Sequence, residues 1–145
     1  SSFGAHFVEV EVDTELGGVR VTKYTTVHHS GPLINPLTAL RQILGAAIQG
    51  IGQALHENLV YDAHSGQPLS AGYYFDRIPT HQDAPPIEVT FIESDDGYGP
   101  YGAKSIGEAG IILSPAAIAN AIFNAIGRRM KDLPITRDKI LGALA

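Results

Sequence analysis

The sequence predicts an α+β domain, and three observations carry that prediction. Apolar and polar residues alternate with a period of two near the N-terminus, two stretches carry helical spacing behind a cap-and-proline start, and a further alternating run lies between those helices. Length agrees: 145 residues make one domain, and at this size about 70% of the unfolded chain's surface can be buried. We therefore read residues 1–145 as a single domain of antiparallel strands with two main helices packed on them.

The first alternation sets Val8, Val10 and Val12 against Glu9, Glu11 and Asp13. After the turn-like Glu15-Leu16-Gly17-Gly18 it resumes at Val19, Val21, Thr25 and Val27, which predicts a two-stranded hairpin. Asn35-Pro36 then supplies an N-cap and a first-turn proline, and Leu37, Leu40, Leu44, Ala47, Ile48, Ile51 and Leu55 follow at helical spacing. Gly45, Gly50 and Gly52 inside this helix each cost about 1 kcal/mol relative to alanine, which implies that something packs close to its backbone. Leu59-Val60-Tyr61 reads as a short strand, residues 63–86 as mostly loop, and Ile87, Val89 and Phe91 as another strand. Ser114-Pro115 repeats the cap-and-proline start, and the helix through Ala116–Ile126 ends at Gly127, with Arg128 and Arg129 suited to its C-terminal dipole. Thr136 is placed to cap a short last helix.

Composition narrows the function. Ten basic against fifteen acidic residues give a formal charge of −5 with no basic stripe, so nucleic acid is not an expected partner. There is no cysteine, which removes disulfides, thiolate zinc sites and iron–sulfur ligation from this chain. No run of eighteen apolar residues and no basic start with an apolar core is present, so we expect no membrane span and a soluble, cytoplasmic chain. Adjacent His28 and His29 would point to opposite faces of a strand and could not easily grip one metal.

The most informative stretch runs from Gly97 to Gly110 and holds five glycines with a single carboxylate, Glu108, between a strand-like and a helix-like run. Glycine lets backbone approach a ligand closely, and an acid just after such a track is placed for chemistry. Gly97-Tyr98-Gly99-Pro100-Tyr101-Gly102 matches the dinucleotide fingerprint literally, but Pro100 and Gly110 oppose a helix opening directly from the loop, and too little chain follows for a Rossmann half. A phosphate-binding P-loop fails by one residue, because Ala103 intrudes before Lys104. From the local sequence alone, an exposed loop acid or a helix-leading carboxylate is favoured over a catalytic role for Glu108.

Gly102-Ala103-Lys104-Ser105-Ile106-Gly107-Glu108 resembles the Gly-x-Lys-x-x-Gly-Glu signature of the molybdenum-binding subunit in the xanthine dehydrogenase and aldehyde oxidase family. Three more matches occur in order: Gly31-Pro32-Leu33-Ile34-Asn35-Pro36-Leu37, Gln49-Gly50-Ile51-Gly52-Gln53-Ala54-Leu55, and Pro85-Pro86-Ile87. Together they span roughly residues 17 to 130 and look like the last part of a subunit several times longer. The resemblance implies the fold of that family's C-terminal molybdenum-cofactor-binding domain. It implies a molybdenum–molybdopterin cofactor completed by other sequence, with iron–sulfur and FAD groups on other domains or subunits. It also implies oxidation of a small aldehyde or N-heterocycle by hydroxylation at carbon with water-derived oxygen.

In that family the matching glutamate acts as general base beside the molybdenum, which makes Glu108 the expected catalytic residue; the flanking Ile106, Ala109, Ile111 and Ile112 suit a partly dehydrated site. Lys104, Ser105, Ile106 and Gly107 are the expected cofactor neighbours, mainly through backbone amides. Gln49 and Gln53 are expected to be structural. His29 stands where relatives often carry the aspartate of an Asp-x-Gly-x-x-x-Asn-Pro segment, which alters that turn's hydrogen bonding. By itself the chain is expected to be inactive. The alternative is a non-catalytic interaction or assembly module that packs on a partner through the glycine-interrupted helix.

Overall fold

The computed structural model describes residues 1–145. Strand β1 (Phe3–Val12) pairs antiparallel with β2 (Val19–His29), from Phe3 opposite His29 to Val12 opposite Val19, with a bulge between Glu9 and Val10. The hairpin closes where the Asp13 carboxylate accepts hydrogen bonds from the amides of Glu15 and Leu16, each at 2.9 Å, and Gly17 adopts φ 69°. The alternation thus forms the predicted hairpin.

Helix α1 (Pro36–Leu55) starts as its sequence requires: Asn35 is extended and its side chain accepts from the Thr38 amide at 3.1 Å, with proline in the first turn. The segment after it returns the chain to β3 (Ile87–Phe91), which pairs parallel to β2, Tyr24 opposite Ile87 through His28 opposite Phe91. The sheet order is β1-β2-β3, and here the expectation of antiparallel strands fails for β3. A helix and a long connection between β2 and β3 bring the chain back to the same end of the sheet, and that crossover yields a parallel neighbour. Leu59-Val60-Tyr61 is not a strand; only an isolated bridge joins Tyr61 to Pro68.

After β3 come the one-turn helix α2 (Ala109–Ile112), α3 (Ser114–Ile126) and α4 (Arg137–Leu144). Gly127 ends α3 in the left-handed conformation, donating its amide to the Phe123 carbonyl at 2.8 Å. Arg129 reaches back to Asn120 at 2.6 Å and lies over the Phe123 ring. Thr136 occupies the N-cap position of α4 without a side-chain cap bond.

Helix α3 lies over β1 and α1 over β3, so both cover one face of the sheet. Between them Val21, Tyr24, Ile51, Ile118, Ile122 and Ile140 form the buried core, with Val8, Val10 and Val12 packed against it. The outer face of β1 is open: Phe3 is 62% and Phe7 64% exposed.

The glycines of α1 divide. A methyl group on Gly50 would collide with Ser114, and one on Gly52 with Glu57 and Pro79, whereas one on Gly45 would meet nothing within 4 Å. Close packing on this helix is therefore real at Gly50 and Gly52 and absent at Gly45.

Candidate functional site

The loop from Asp95 to Glu108 is built from tight turns. Asp95 and Asp96 accept from the amides of Gly97 (2.8 Å) and Tyr98 (3.2 Å), and a single 3-10 turn covers Pro100–Gly102. No long helix opens from the glycine track, in line with the rejected nucleotide reading. A side chain on Gly31 would strike the Gly102 carbonyl, and both residues have positive φ, so the loop lies directly on the end of β2.

Lys104 is the staple of that contact. Its amide donates to the Ser30 carbonyl at 2.9 Å, and its ammonium, on a side chain only 11% exposed, pairs with the Asp96 carboxylate at 2.5 Å. That ammonium holds the Asp96 carboxyl below the usual carboxylate range. Both donors of Lys104 are thus engaged within the chain.

The next four residues are the opposite. The amides of Ser105, Ile106, Gly107 and Glu108 make no hydrogen bond to any backbone or side-chain acceptor of the chain, while the carbonyls of Ser105 and Gly107 accept from Ser2 (2.5 Å) and Gln42 (3.0 Å). The loop is thereby fixed through its carbonyls, while these four amides have no acceptor within the chain. It forms one wall of a cleft of about 490 Å³ whose other wall is the start of α1, with Ser30, Asn35, Thr38 and Gln42 among its lining residues and no acidic residue.

Glu108 follows at the cleft's edge as the residue leading α2, and its carbonyl accepts from the amides of Ile111 (3.0 Å) and Ile112 (3.3 Å). Its carboxylate is exposed, caps nothing and makes no ion pair. The expected dehydrated surroundings are not formed by this chain: Ile106 and Ile111 are half-buried, but Ile112 is 66% exposed. The reason is geometric. Gly110 turns toward α1, where an added Cβ would lie 2.7 Å from that of Ala46, so Glu108 and Ile112, four residues apart, face away.

A layer of polar side chains under α2 and α3 was not singled out by the sequence reading. His6 Nδ1 lies 2.7 Å from Tyr24 Oη, His6 Nε2 3.1 Å from His28 Nε2, and Tyr24 Oη donates to Ser114 Oγ at 2.7 Å. Ser114 is not the cap of α3: it is the first residue of the helix, Leu113 stands in the cap position, and the buried Ser114 hydroxyl accepts from Tyr24. The signal that could have found this layer is the register of β1, which puts His6 among the inward positions Gly4, Val8 and Val10. His28 and His29 do face opposite ways: His28 joins His6, whereas His29 stacks on Phe3 at 4.7 Å and meets Ser94 at 2.6 Å. Gln49 and Gln53 are exposed on α1.

No group of three or more His, Cys, Asp or Glu side chains is placed to hold a metal ion. A larger open cleft, about 1180 Å³, mixes Arg20, Arg77 and Arg137 with Asp13, Asp83 and Asp138 and includes none of the predicted site residues.

The profile of the family described as molybdopterin cofactor-binding domain matches residues 1–85. The chain is 43% identical over 148 aligned residues to the aldehyde oxidoreductase molybdenum-binding subunit PaoC of Escherichia coli, covering 99% of this chain and 20% of that protein. It is 40% identical to the 6-hydroxypseudooxynicotine dehydrogenase complex subunit gamma of Paenarthrobacter nicotinovorans, covering 95% and 18% respectively. Among solved structures, quinoline 2-oxidoreductase from Pseudomonas putida 86 superposes with a TM-score of 0.90 at 33% identity over 97% of this chain and 18% of that one. The chain thus spans about a fifth of the length of these relatives, and their alignments, unlike the family profile, extend across the Glu108 loop. The chain belongs to the molybdopterin cofactor-binding domain family and corresponds to part of the molybdenum-binding subunit of the xanthine dehydrogenase and aldehyde oxidoreductase enzymes.

Proposed function

We propose that this chain supplies the proton-accepting edge of a molybdopterin site in a molybdenum hydroxylase, with Glu108 as general base. The observation that carries this reading is the run of four amides without partners, Ser105 to Glu108, leading directly to an unpaired carboxylate. The loop fits a cofactor that is anionic and rich in acceptors: three of these amides precede the acid, and the adjoining cleft contains no carboxylate to repel it. Ser105, Ile106 and Gly107 would hold the group through their N–H donors, and Lys104 would line the floor with its charge balanced by Asp96.

When bound, the molybdenum group supplies the two-electron acceptance that oxidation at carbon requires. The Glu108 carboxylate would take up the proton released as a water-derived oxygen joins the substrate carbon, while the C–H bond at that carbon breaks and its electron pair leaves to the two-electron acceptor. Its carbonyl, tied to Ile111 and Ile112, fixes the backbone from which the carboxylate projects. An aldehyde or an N-heterocycle fits this chemistry, and the names of the relatives include both kinds of substrate.

The remainder of the subunit would cover Ile112 and the outer faces of Phe3 and Phe7, which are open here, and exclude water from the base. Iron–sulfur and flavin groups would sit on other polypeptide, since this chain has no cysteine to ligate a cluster.

Glu108→Gln in the complete cofactor-loaded enzyme tests the reading. Removing a general base is expected to lower kcat about 10²- to 10⁴-fold with molybdenum content unchanged. Undiminished turnover would favour a purely structural role for the chain.

A further inference from the structure

We propose that Tyr24, His6 and Ser114 are positioning residues for Glu108, acting through a one-directional chain of hydrogen bonds that ends on the carbonyl of Gly110. This inference rests on the reading of Glu108 as the base.

Hydrogen-bond accounting fixes the direction of the chain. Tyr24 has one proton and gives it to Ser114 Oγ at 2.7 Å, so its oxygen must accept from His6 Nδ1, also at 2.7 Å. A neutral His6 that carries its proton on Nδ1 offers a lone pair at Nε2, and His28 Nε2, 3.1 Å away, must then be the donor. Thr26 Oγ1, 2.6 Å from the same His28 nitrogen, shares that N–H. Ser114 passes its own proton to the Gly110 carbonyl at 3.4 Å. Every proton in the chain therefore points from β2 toward α2.

The far end is sealed. His28 Nδ1 is buried without a partner and faces Gly4, where a Cβ would lie only 2.7 Å from it. That nitrogen carries a lone pair and not a proton, since an N–H there would have no acceptor. No carboxylate, lysine or arginine bonds to either imidazole: Tyr24, Thr26 and His28 of β2 bond or face them, together with Gly4 of β1. Burial, the larger cause, and the neighbouring His28 hold the His6 imidazole down to about 4, consistent with a neutral link.

At the near end Gly110 is held twice, by this bond and by its close approach to Ala46 and Ile43 of α1. Glu108 lies two residues before it in the same turn, with its carbonyl bonded to Ile111 and Ile112. The direction in which the Glu108 carboxylate projects is thus set from beneath, by side chains that touch neither substrate nor cofactor. A shift of about 1 Å at a catalytic group can cost about 10²-fold in rate, which is why such a brace matters.

The test uses the complete cofactor-loaded enzyme with Tyr24→Phe, which keeps the ring and removes the hydroxyl, and Ser114→Ala, which decides the matter should Tyr24→Phe not fold. Two readouts are taken: kcat and KM separately, and hydrogen exchange of the Ile111 and Ile112 amides, which report whether α2 stays closed on the Glu108 carbonyl. We expect exchange to rise about tenfold on loss of one buried hydrogen bond and kcat to fall about 10- to 100-fold, with KM and molybdenum content unchanged. Exchange and kcat both at wild-type values would overturn the proposal, and so would faster exchange with kcat unchanged. Glu108→Gln separates the two readings: it is expected to cut turnover without altering exchange at Ile111 and Ile112, and if it leaves turnover intact the base assignment fails while the exchange result still decides whether the chain holds α2.

Discussion

The seam where α1, α2 and α3 meet and the loop leading into it are neighbours in sequence and opposites in construction. At the seam, Gly50 brings α1 against Ser114, Gly110 brings α2 against Ala46, and the hydroxyls of Tyr24 and Ser114 are both engaged. In the loop, the amides of Ser105 to Glu108 have no partner and the acid forms no ion pair. Water can satisfy such groups at an exposed position, so the loop costs little when open and can exchange water for a ligand, whereas the seam could not tolerate a vacancy. A rigid seam beside an open loop is how a backbone site can be preorganised without being closed.

The largest break in this contrast is expected from Gly50→Ala. The new methyl meets Ser114, which is buried and cannot withdraw, so overpacking of about 1–3 kcal/mol outweighs the roughly 1 kcal/mol gained in helix propensity. The urea midpoint of the chain is expected to fall.

Acid is the next probe. The His6 imidazole is lowered from 6.5 to about 4 chiefly by burial, and burial also lowers that of His28. Between those two values the unfolded chain binds protons that the folded chain refuses, so stability is full above about pH 6.5 and is lost as the pH falls toward 4. Urea midpoints across that range are expected to decrease with falling pH, and His6→Gln is expected to flatten the dependence. A pH-independent midpoint would mean that the polar layer is not buried as described.

Gly45→Ala sharpens the comparison from the other side. Nothing lies within 4 Å of the added methyl, so the same substitution five residues earlier is expected to stabilise by about 0.5–1 kcal/mol. The smallest effect on stability belongs to Lys104→Gln, which removes an ion pair whose Asp96 carboxylate faces solvent. Its clearer signature is the Asp96 carboxyl, expected to return toward its usual range in an NMR titration.

The parts of the fold written in local pattern were legible in the sequence. Period-two alternation gave the β1–β2 hairpin, Asn35-Pro36 marked the start of α1, and Gly127 marked the end of α3. What was not legible depends on long-range pairing: β3 is parallel because of what lies between it and β2, and Leu59-Val60-Tyr61 fails as a strand for want of a neighbour beyond one bridge. The Tyr24–Ser114 bond joins residues 90 positions apart, which no local window contains. At the site, the glycine track and Glu108 were readable as a loop and an acid, and the Gly-x-Lys-x-x-Gly-Glu resemblance is the source of the roles proposed for them. The division of labour within it was not readable, because whether an amide is used, as in Lys104, or free, as in Ser105, depends on where Ser30 comes to lie.

The role of Glu108 is tested most directly by a structure of the complete cofactor-loaded subunit, read at that residue and its three predecessors. In it the Glu108 carboxylate is expected within hydrogen-bond reach of the reacting group, about 2.6–3.2 Å, with the amides of Ser105, Ile106 and Gly107 donating to the cofactor. A Glu108 carboxylate locked in an ion pair with another part of the subunit, with those amides donating to protein carbonyls, would contradict it.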